Sequence, residues 1–210
     1  MSDTTSVSRR PPVGGAFLVS RQSADDVLIP EAFDDELDMF AATAKTFVQR
    51  EIDPDFDRLE ALDYELSRRK MATAGSLGLL GVEVPEEYGG LGMSKAASAV
   101  VVEALAATGS FNVTYNAHSG IGTLPLVYFG THEQKARYLP RLASGEWVAA
   151  YCLTEPGSGS DSLAAKTRAV LDGDEWVLDG SKMWISNAGF ADLFTVVAQV
   201  DGDKFTAFLV

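Results

Sequence analysis

The sequence predicts a multi-domain α and β protein: an all-α helical domain followed by an incomplete, antiparallel, barrel-like β-domain. Apolar residues recur at helical spacing between about residues 31 and 146. From residue 147 onward, apolar and polar residues alternate around two Asp-Gly-Asp turns. The β-domain has too few strands to close a barrel, and the chain stops at Val210 inside an apolar strand. We therefore expect either that the 210 residues are the front part of a longer chain or that a partner completes the sheet.

Residues 1–30 are predicted to be an irregular lead-in to the helical domain at 31–146. Proline and glycine interrupt the lead-in repeatedly, and no regular apolar spacing runs through it. Its first residues, "MSDTTSVSRRPPVGG", lack the apolar core of a signal peptide, so we expect a disordered tail.

The first half of the helical domain contains two predicted helices. The first begins near residue 34, because Leu37, Phe40, Ala44 and Phe47 form one apolar stripe, and Pro54 ends or follows it. The second covers about 56–76 and ends in the glycine-containing stretch "GSLGLLG". "VEVPEEYGGLG" follows as a loop, because its proline blocks a helix and its glycines permit tight turns.

The second half of the domain contains three further predicted helices. One covers 94–108 and is apolar on most sides, which indicates burial; the next covers about 113–129. Thr131 and Gln134 form a capping-box pattern that begins the last helix. Pro140 either bends that helix or divides it.

The β-domain is predicted to begin at residue 147. "WVAAYCLT" is a short apolar run typical of a buried strand. Two hairpins follow, one turning at 172–174 and the other at 201–203. The β-α-β alternation of a doubly wound sheet does not occur in the sequence.

Composition argues against several classes of function. The net charge of −13 disfavours nucleic acid as a partner, because phosphate binding needs basic patches. A single cysteine, Cys152, cannot form an intramolecular disulfide and fits a reducing compartment as a packed small residue. His118 and His132 have no partner at metal-ligand spacing. The sequence has no apolar stretch of membrane-spanning length.

The stretch "YCLTEPGSGSD" (residues 151–161, the glycine–serine loop) contains the first candidate site. Gly157 and Gly159 have no Cβ, so the backbone could approach a flat ligand closely. Thr154, Ser158 and Ser160 add hydroxyls that donate or accept hydrogen bonds. This suits the polar edge of a heterocycle or a pyrophosphate, although a plain β-turn remains the alternative because the spacing matches no established phosphate motif.

The stretch "KMWISNAG" (residues 182–189, the Trp184 segment) contains the second candidate site. On a strand, Trp184 would present an aromatic face next to the Ser186 hydroxyl. The alternative is that Trp184 only fills the core.

Together the two motifs resemble the acyl-CoA dehydrogenase family of flavoproteins. "VPEEYGGLG" and "FGTHEQKARYLPRLASGE" also look like the helical domain of that family, and the four segments occur in the family's order. The lead-in "GGAFLVSRQSADDVLIPEAF" resembles the very-long-chain-like branch.

The resemblance implies that FAD binds here and that the two motifs contact it. Thr154 would contact the pyrimidine edge of the flavin, Ser186 would reach N5, and Ser160 would touch both the flavin and the substrate's pantetheine arm. Ser186 departs from the Thr found in many members, and "NAG" departs from the commoner Asn-Gly-Gly. The implied cofactor-binding residues are Tyr151, Cys152, Leu153, Thr154, Glu155, Pro156, Gly157, Ser158, Gly159, Ser160, Trp184, Ile185 and Ser186, and Ser160 is also the implied substrate contact.

The implied reaction is α,β-dehydrogenation of an acyl-CoA to the trans-2-enoyl thioester in fatty acid β-oxidation. Such a reaction needs a carboxylate base opposite the flavin. In the family this base lies in a C-terminal helical domain that the 210 residues do not contain, so we assign no catalytic residue and expect the isolated chain to be inactive. Glu155 precedes a proline in a turn and is interpreted as structural or as a charged loop residue; His118 is interpreted as a hydrogen-bonded core histidine.

The resemblance also implies partners: an acyl-CoA substrate, an electron-transfer flavoprotein and a homo-oligomer, dimer or tetramer, of the full-length protein. It implies a cytoplasmic location, or the mitochondrial matrix in a eukaryote. The alternative functions are an acyl-CoA oxidase-type flavoenzyme and a non-catalytic module that assembles with a partner.

Overall fold

The computed structural model describes residues 16–21, 23, 33–202 and 204–210. The chain divides into a segment, 1–39, and a compact unit, 40–210. Most of the predicted lead-in lies outside the described residues, which include one short helix there, α1 (Ala16–Val19). The hairpin turn predicted at 201–203 is described except for Asp203.

Helices form the first part of the fold, as predicted. Helix α2 continues into a π-helical turn, Val48–Ile52, and a short 3₁₀ helix, Asp53–Asp55. The remaining α-helices are α3 (Phe56–Glu60), α4 (Tyr64–Ser76), α5 (Lys95–Leu105), α6 (Ser110–Asn116), α7 (Leu124–Phe129) and α8 (His132–Ala143), with α2 itself at Asp35–Phe47. The capping box is confirmed: Gln134 N donates to Thr131 Oγ1 at 3.2 Å, and Thr131 N donates to Gln134 Oε1 at 2.9 Å.

Two helix predictions differ from the structure in detail. The single helix predicted over 56–76 is two helices, because Leu62 has a φ of 61° and Asp63 caps α4 by accepting from Leu66 N at 3.0 Å. The helix predicted over 113–129 is interrupted by a π-helical turn, Ala117–Gly122. In contrast, α8 is continuous through Pro140, so that proline does not divide it.

The second part is a five-stranded sheet in which β1, β4, β2 and β3 lie in that order and β5 pairs with β4. The strands are β1 (Ala149–Cys152), β2 (Arg168–Asp172), β3 (Glu175–Asp179), β4 (Leu193–Val200) and β5 (Lys204–Leu209). Both predicted hairpins are present, and the described sheet is not closed. It is mixed rather than purely antiparallel, because β1 pairs with β4 in parallel along four residues and β2 meets β4 in parallel at Arg168 and Gln199.

The sheet packs on the helices through one apolar cluster. Ala149 of β1 and Leu193 of β4 meet Leu126 of α7 and Leu139 and Leu142 of α8 there, all of them buried. This packing places the end of β1, and hence the glycine–serine loop, at the edge of the helical region. Among the described residues, no helix is long and apolar enough to cross a membrane.

Asp192 joins α4 to the start of β1. Arg68 approaches its carboxylate with both terminal nitrogens, Nη1 at 2.7 Å from Oδ2 and Nη2 bonded to Oδ1, and Val148 N donates to Oδ2 at 2.9 Å. The three donors come from two parts of the fold that are far apart in the sequence. A paired Arg–carboxylate contact adds directional specificity to its charge.

We expect Asp192→Asn to lower the free energy of unfolding by about 1–3 kcal/mol, because a neutral amide cannot accept from all three donors. Urea denaturation measures the loss. Asp201→Asn is the matched control: its carboxylate is largely exposed and lies 3.6 Å from Lys204, so its loss should stay within about 0.5 kcal/mol. Equal losses in the two variants would contradict the role assigned to Asp192.

Candidate functional site

The glycine–serine loop contains a tight turn directly beyond β1. Glu155 and Ser158 exchange backbone hydrogen bonds of 2.9 and 3.1 Å, which places Pro156 and Gly157 at the tip of the turn. The Ser158 hydroxyl donates to Asp161 O at 2.7 Å. Ser158 is buried, so its hydroxyl stabilises the loop and does not face outward as the sequence suggested.

Gly157 and Gly159 border open space. A Cβ built on either residue would meet no atom within 4 Å, and neither residue has a positive φ. Another residue type would therefore fit the backbone here, but its side chain would occupy the space in front of the loop. This agrees with the predicted close approach of a ligand to the backbone.

The Trp184 segment is not a strand, contrary to the prediction. Trp184 and Asn187 have φ values of 58° and 68°, in the left-handed region, and 187–190 form a turn closed by the hydrogen bond from Ala191 N to Asn187 O at 2.8 Å. The Asn187 amide anchors the segment by donating to Thr114 O at 3.0 Å and Ala149 O at 3.2 Å. These tertiary hydrogen bonds outweigh the strand preference of the sequence.

The Trp184 indole is 82% exposed. It therefore does not fill the core, and the alternative interpretation of this residue is wrong. A large aromatic ring held outward on a strained backbone is a feature of binding sites more than of stable packing.

The two candidate motifs are adjacent in space. Met183 N donates to Thr154 O at 2.9 Å, and Lys182 Nζ donates to Leu153 O at 3.1 Å. The open glycines and the exposed indole thus belong to neighbouring segments. The structure brings together residues that are about thirty positions apart in the sequence.

Glu155 occupies the centre of this arrangement. Its Oε1 accepts from Thr167 N (2.9 Å), Thr167 Oγ1 (2.5 Å) and Lys182 Nζ (2.8 Å), and its Oε2 accepts from Lys166 N (2.6 Å). Burial by itself raises the pKa of this carboxyl. The donated hydrogen bonds, led by that of Lys166 N, outweigh burial and lower the pKa to about 2.

A carboxylate so fully occupied does not accept a substrate proton. Glu155 is buried, and its lone pairs point to the protein's own donors. The structural interpretation of Glu155 agrees with this geometry.

Thr154 and Ser186 are half-buried, and neither hydroxyl has a hydrogen-bond partner within the described part of the chain. Ser186 and Ile185 line a groove of about 280 Å³ together with Leu62, Val113 and Thr114. Ser160 is exposed in the glycine–serine loop. These hydroxyls remain available to a ligand.

The other implied contacts lie nearer the protein interior. Tyr151 and Leu153 are half-buried, and Cys152 is buried on β1. Burial raises the pKa of the Cys152 thiol, and nearby Lys182 opposes this more weakly. The thiol is therefore a packed group rather than a nucleophile, as expected.

His118 is a core residue, as interpreted from the sequence. Ala149 N donates to its Nδ1 at 3.0 Å, so its Nε2–H donates to Leu142 O at 3.1 Å. Complete burial lowers the pKa of the imidazole to about 4, against a smaller opposing effect of the Leu142 hydrogen bond.

Sequence reasoning missed Lys182 and Thr167, which hold Glu155 in place. Lys182 looks like an ordinary polar residue at the end of a hairpin, and Thr167 like one at its start. A lysine two positions before Trp184 was the available signal in the sequence, and it is a weak one. Among the described residues, no cluster of three or more His, Cys, Asp or Glu side chains could hold a metal ion.

The chain belongs to the acyl-CoA dehydrogenase family. Residues 34–146 match the model of the acyl-CoA dehydrogenase N-terminal domain, and residues 150–210 match that of the middle domain. The helical part and the mixed sheet therefore correspond to two consecutive domains of this family, as the resemblance implied.

Individual relatives agree with this assignment. The chain is 53% identical over 199 residues to a probable acyl-CoA dehydrogenase of Bacillus subtilis (strain 168), which covers 94% of the chain and 34% of that relative. It is 45% identical over 146 residues to the human mitochondrial very long-chain specific acyl-CoA dehydrogenase, covering 64% of the chain and 22% of the relative.

A solved structure is also closely similar. The crystal structure of an acyl-CoA dehydrogenase complexed with FAD, from Bacillus anthracis, superposes with a TM-score of 0.90 at 50% identity and covers 94% of this chain and 34% of that one. The chain thus spans about a third of the length of these two Bacillus relatives.

Proposed function

We propose that this chain forms the flavin-contacting part of an FAD-dependent acyl-CoA dehydrogenase, which oxidises an acyl-CoA to the trans-2-enoyl thioester. The observation that carries the proposal is the contact between the two motifs: Met183 N donates to Thr154 O while the Trp184 indole stays exposed beside them. The similar Bacillus anthracis structure was solved as a complex with FAD, which supports the choice of cofactor.

The residues present fit a flavin. Gly157 and Gly159 leave open space in front of the loop, which the ring system of a flat ligand would fill. Trp184 offers an exposed aromatic face, and the Thr154 and Ser186 hydroxyls have no partner among the described residues. In this proposal the FAD contacts are those implied above, from Tyr151 to Ser160 and from Trp184 to Ser186, with the buried residues Cys152, Glu155 and Ser158 contributing through their backbone.

The bound flavin supplies the acceptor for the hydride that leaves the substrate's β-carbon. The chain's own residues would bind and orient: Thr154 and Ser186 donate hydrogen bonds, Trp184 excludes water from one face, and Ser160 contacts the pantetheine arm. The apolar side of the groove beside Ser186, formed by Leu62 and Val113, suits part of an acyl thioester.

The α-proton requires a carboxylate base, and Glu155 does not supply one because four donors already occupy its oxygens. We place the base in a part of the protein outside these 210 residues. The same applies to the contacts of the adenine half of FAD. Family membership supports an electron-transfer flavoprotein as electron acceptor and a homo-oligomeric full-length protein.

Titration of the 210-residue chain with FAD tests the proposal. We expect bound oxidised flavin, seen as a shifted absorbance band at about 450 nm, and quenching of Trp fluorescence. Trp184→Ala should weaken FAD binding at least tenfold, or about 1.4 kcal/mol, because the stacking face is lost.

Trp176→Ala is the matched control. Trp176 is also an exposed tryptophan, but it lies on β3, packs against Phe208 and lines a different groove. Its replacement should leave FAD affinity unchanged. A colourless protein that does not bind FAD would instead support the non-catalytic module. Equal losses of FAD affinity in both variants would support it as well.

A further inference from the structure

One buried ion pair joins the two candidate motifs, with Glu155 in the glycine–serine loop and Lys182 in the Trp184 segment. The carboxylate of Glu155 and the ammonium of Lys182 are 2.8 Å apart, and their side chains are only 7% and 11% exposed. The other ion pairs among the described residues have at least one side chain that is more exposed than either of these.

Stability alone does not explain such a pair. Removing two charges from water costs several kcal/mol per ion, and an apolar pair of similar volume often stabilises a protein as well or better. Here both charged groups make further hydrogen bonds: Glu155 also accepts from Lys166 N and Thr167 N, and Lys182 also donates to Leu153 O. A role in positioning accounts for this better than a role in stability.

The pair acts on the backbone that carries Trp184. Lys182 bonds to the loop through both Leu153 O and Glu155, and the next residue, Met183, donates to Thr154 O. Three consecutive loop residues therefore hold two consecutive residues of the Trp184 segment. This explains how Trp184 keeps a φ of 58°, a conformation that costs a bulky residue about 1 kcal/mol or more.

We propose that Glu155 and Lys182 form a positioning pair for the flavin: Glu155 fixes Lys182 so that the Trp184 segment stays aligned with Thr154, and it neutralises the Lys182 charge behind the flavin-contacting loop. The second half of this proposal, the charge half, rests on the proposed function. The first half, the positioning half, concerns only contacts within the chain and is tested without cofactor.

The positioning half predicts a local change in hydrogen exchange. In Glu155→Gln the Met183 amide, which donates to Thr154 O, should exchange at least tenfold faster than in the wild-type chain. The Ala149 amide, bonded to His118 in the core, should change much less. Glu83→Gln is the matched control, because Glu83 is also largely buried and paired with a lysine, Lys95, but within the helical region.

Two results would overturn the positioning half. One is unchanged exchange at Met183 in Glu155→Gln. The other is acceleration by the same factor at Met183 and Ala149, which would mean a global loss of stability and no specific role. Lys182→Gln should accelerate Met183 exchange as well, which provides a second variant if Glu155→Gln folds poorly.

The charge half predicts shifts of opposite sign in the reduction potential of bound flavin. Two-electron reduction adds negative charge to the flavin, and charge near the ring tunes its electronics. Glu155→Gln leaves Lys182 uncompensated and should raise the potential. Lys182→Gln leaves Glu155 uncompensated and should lower it, while the double variant should return close to the wild-type value.

The outcomes distinguish a failure of the proposed function from a failure of the proposed role of Glu155 and Lys182. If the wild-type chain binds no FAD, the proposed function and the charge half both fail, and Met183 exchange still decides the positioning half. If FAD binds but both single variants shift the potential in the same direction or not at all, the charge half is overturned while the proposed function stands.

Discussion

Replacing His118 with alanine is expected to destabilise the chain by about 4 kcal/mol at neutral pH. The imidazole is completely buried and connects Leu142 O at the end of α8 to Ala149 N at the start of β1. The change leaves a buried donor and a buried acceptor without partners, each costing about 1–3 kcal/mol, and it adds a cavity. Because β1 leads directly into the glycine–serine loop, the candidate site loses part of its support.

The same residue makes stability depend on pH. The folded-state pKa of His118 is lowered to about 4, whereas an unfolded histidine titrates near its ordinary 6.5. Between these values the unfolded state binds a proton that the folded state does not, so the His118 contribution is present above pH 6.5 and is lost as the pH falls towards 4. The loss amounts to roughly 3 kcal/mol.

Urea denaturation from pH 4 to pH 7.5 measures both effects. The wild-type stability should fall towards the acid end more steeply than that of His118→Ala, and the difference isolates His118 from the carboxylates that titrate in the same range. His132→Ala is the control, because His132 is the only other histidine in the sequence and is exposed. Parallel pH profiles for the wild type and His118→Ala would refute the assignment.

Gly75→Ala is expected to destabilise the chain by about 3 kcal/mol, although alanine is the better helix former. Gly75 lies within α4, where Gly→Ala ordinarily gains up to about 1 kcal/mol. Here an added Cβ would lie 2.1 Å from Ser144 O and 2.3 Å from Ser144 C. These are backbone atoms just beyond α8, so relief requires the two helices to separate.

Gly120→Ala provides the comparison. Gly120 lies in the π-helical turn, has no positive φ, and a Cβ there would meet nothing within 4 Å. Its substitution should change the free energy of unfolding by less than about 1 kcal/mol. Thermal or urea unfolding of the two variants measures this difference in stability. A Gly75→Ala variant as stable as the wild type would show that α4 and α8 are not packed this closely.

Several features of the fold were predictable because their cause is local. Thr131 and Gln134 are three residues apart, so their reciprocal capping bonds follow from the sequence itself. The hairpin between β2 and β3 follows from alternation around the Gly173 turn, where φ is 62°. The two site motifs were found for the same reason, since each is a short contiguous stretch.

Other features depended on residues distant in the sequence. The break at Leu62 is an exception, because its cause is local: Asp63 caps α4, and this capping competes with an uninterrupted apolar stripe. The Trp184 segment looked like a strand, but Asn187 bonds to α6 and β1, and Gly189 lies so close to Tyr64 of α4 that a Cβ there would come within 2.8 Å of the ring. Local alternation does not report such contacts.

The sequence by itself determined the order of helical and β parts, the turns, the caps and the two flavin-family motifs. Only the tertiary structure decided that β1 and β4 pair in parallel and that Glu155 meets Lys182 behind the loop. The physical reason is that periodicity and turn chemistry act over a few residues. Strand partners and buried charge pairs form instead where the whole chain has already brought distant segments within hydrogen-bond range.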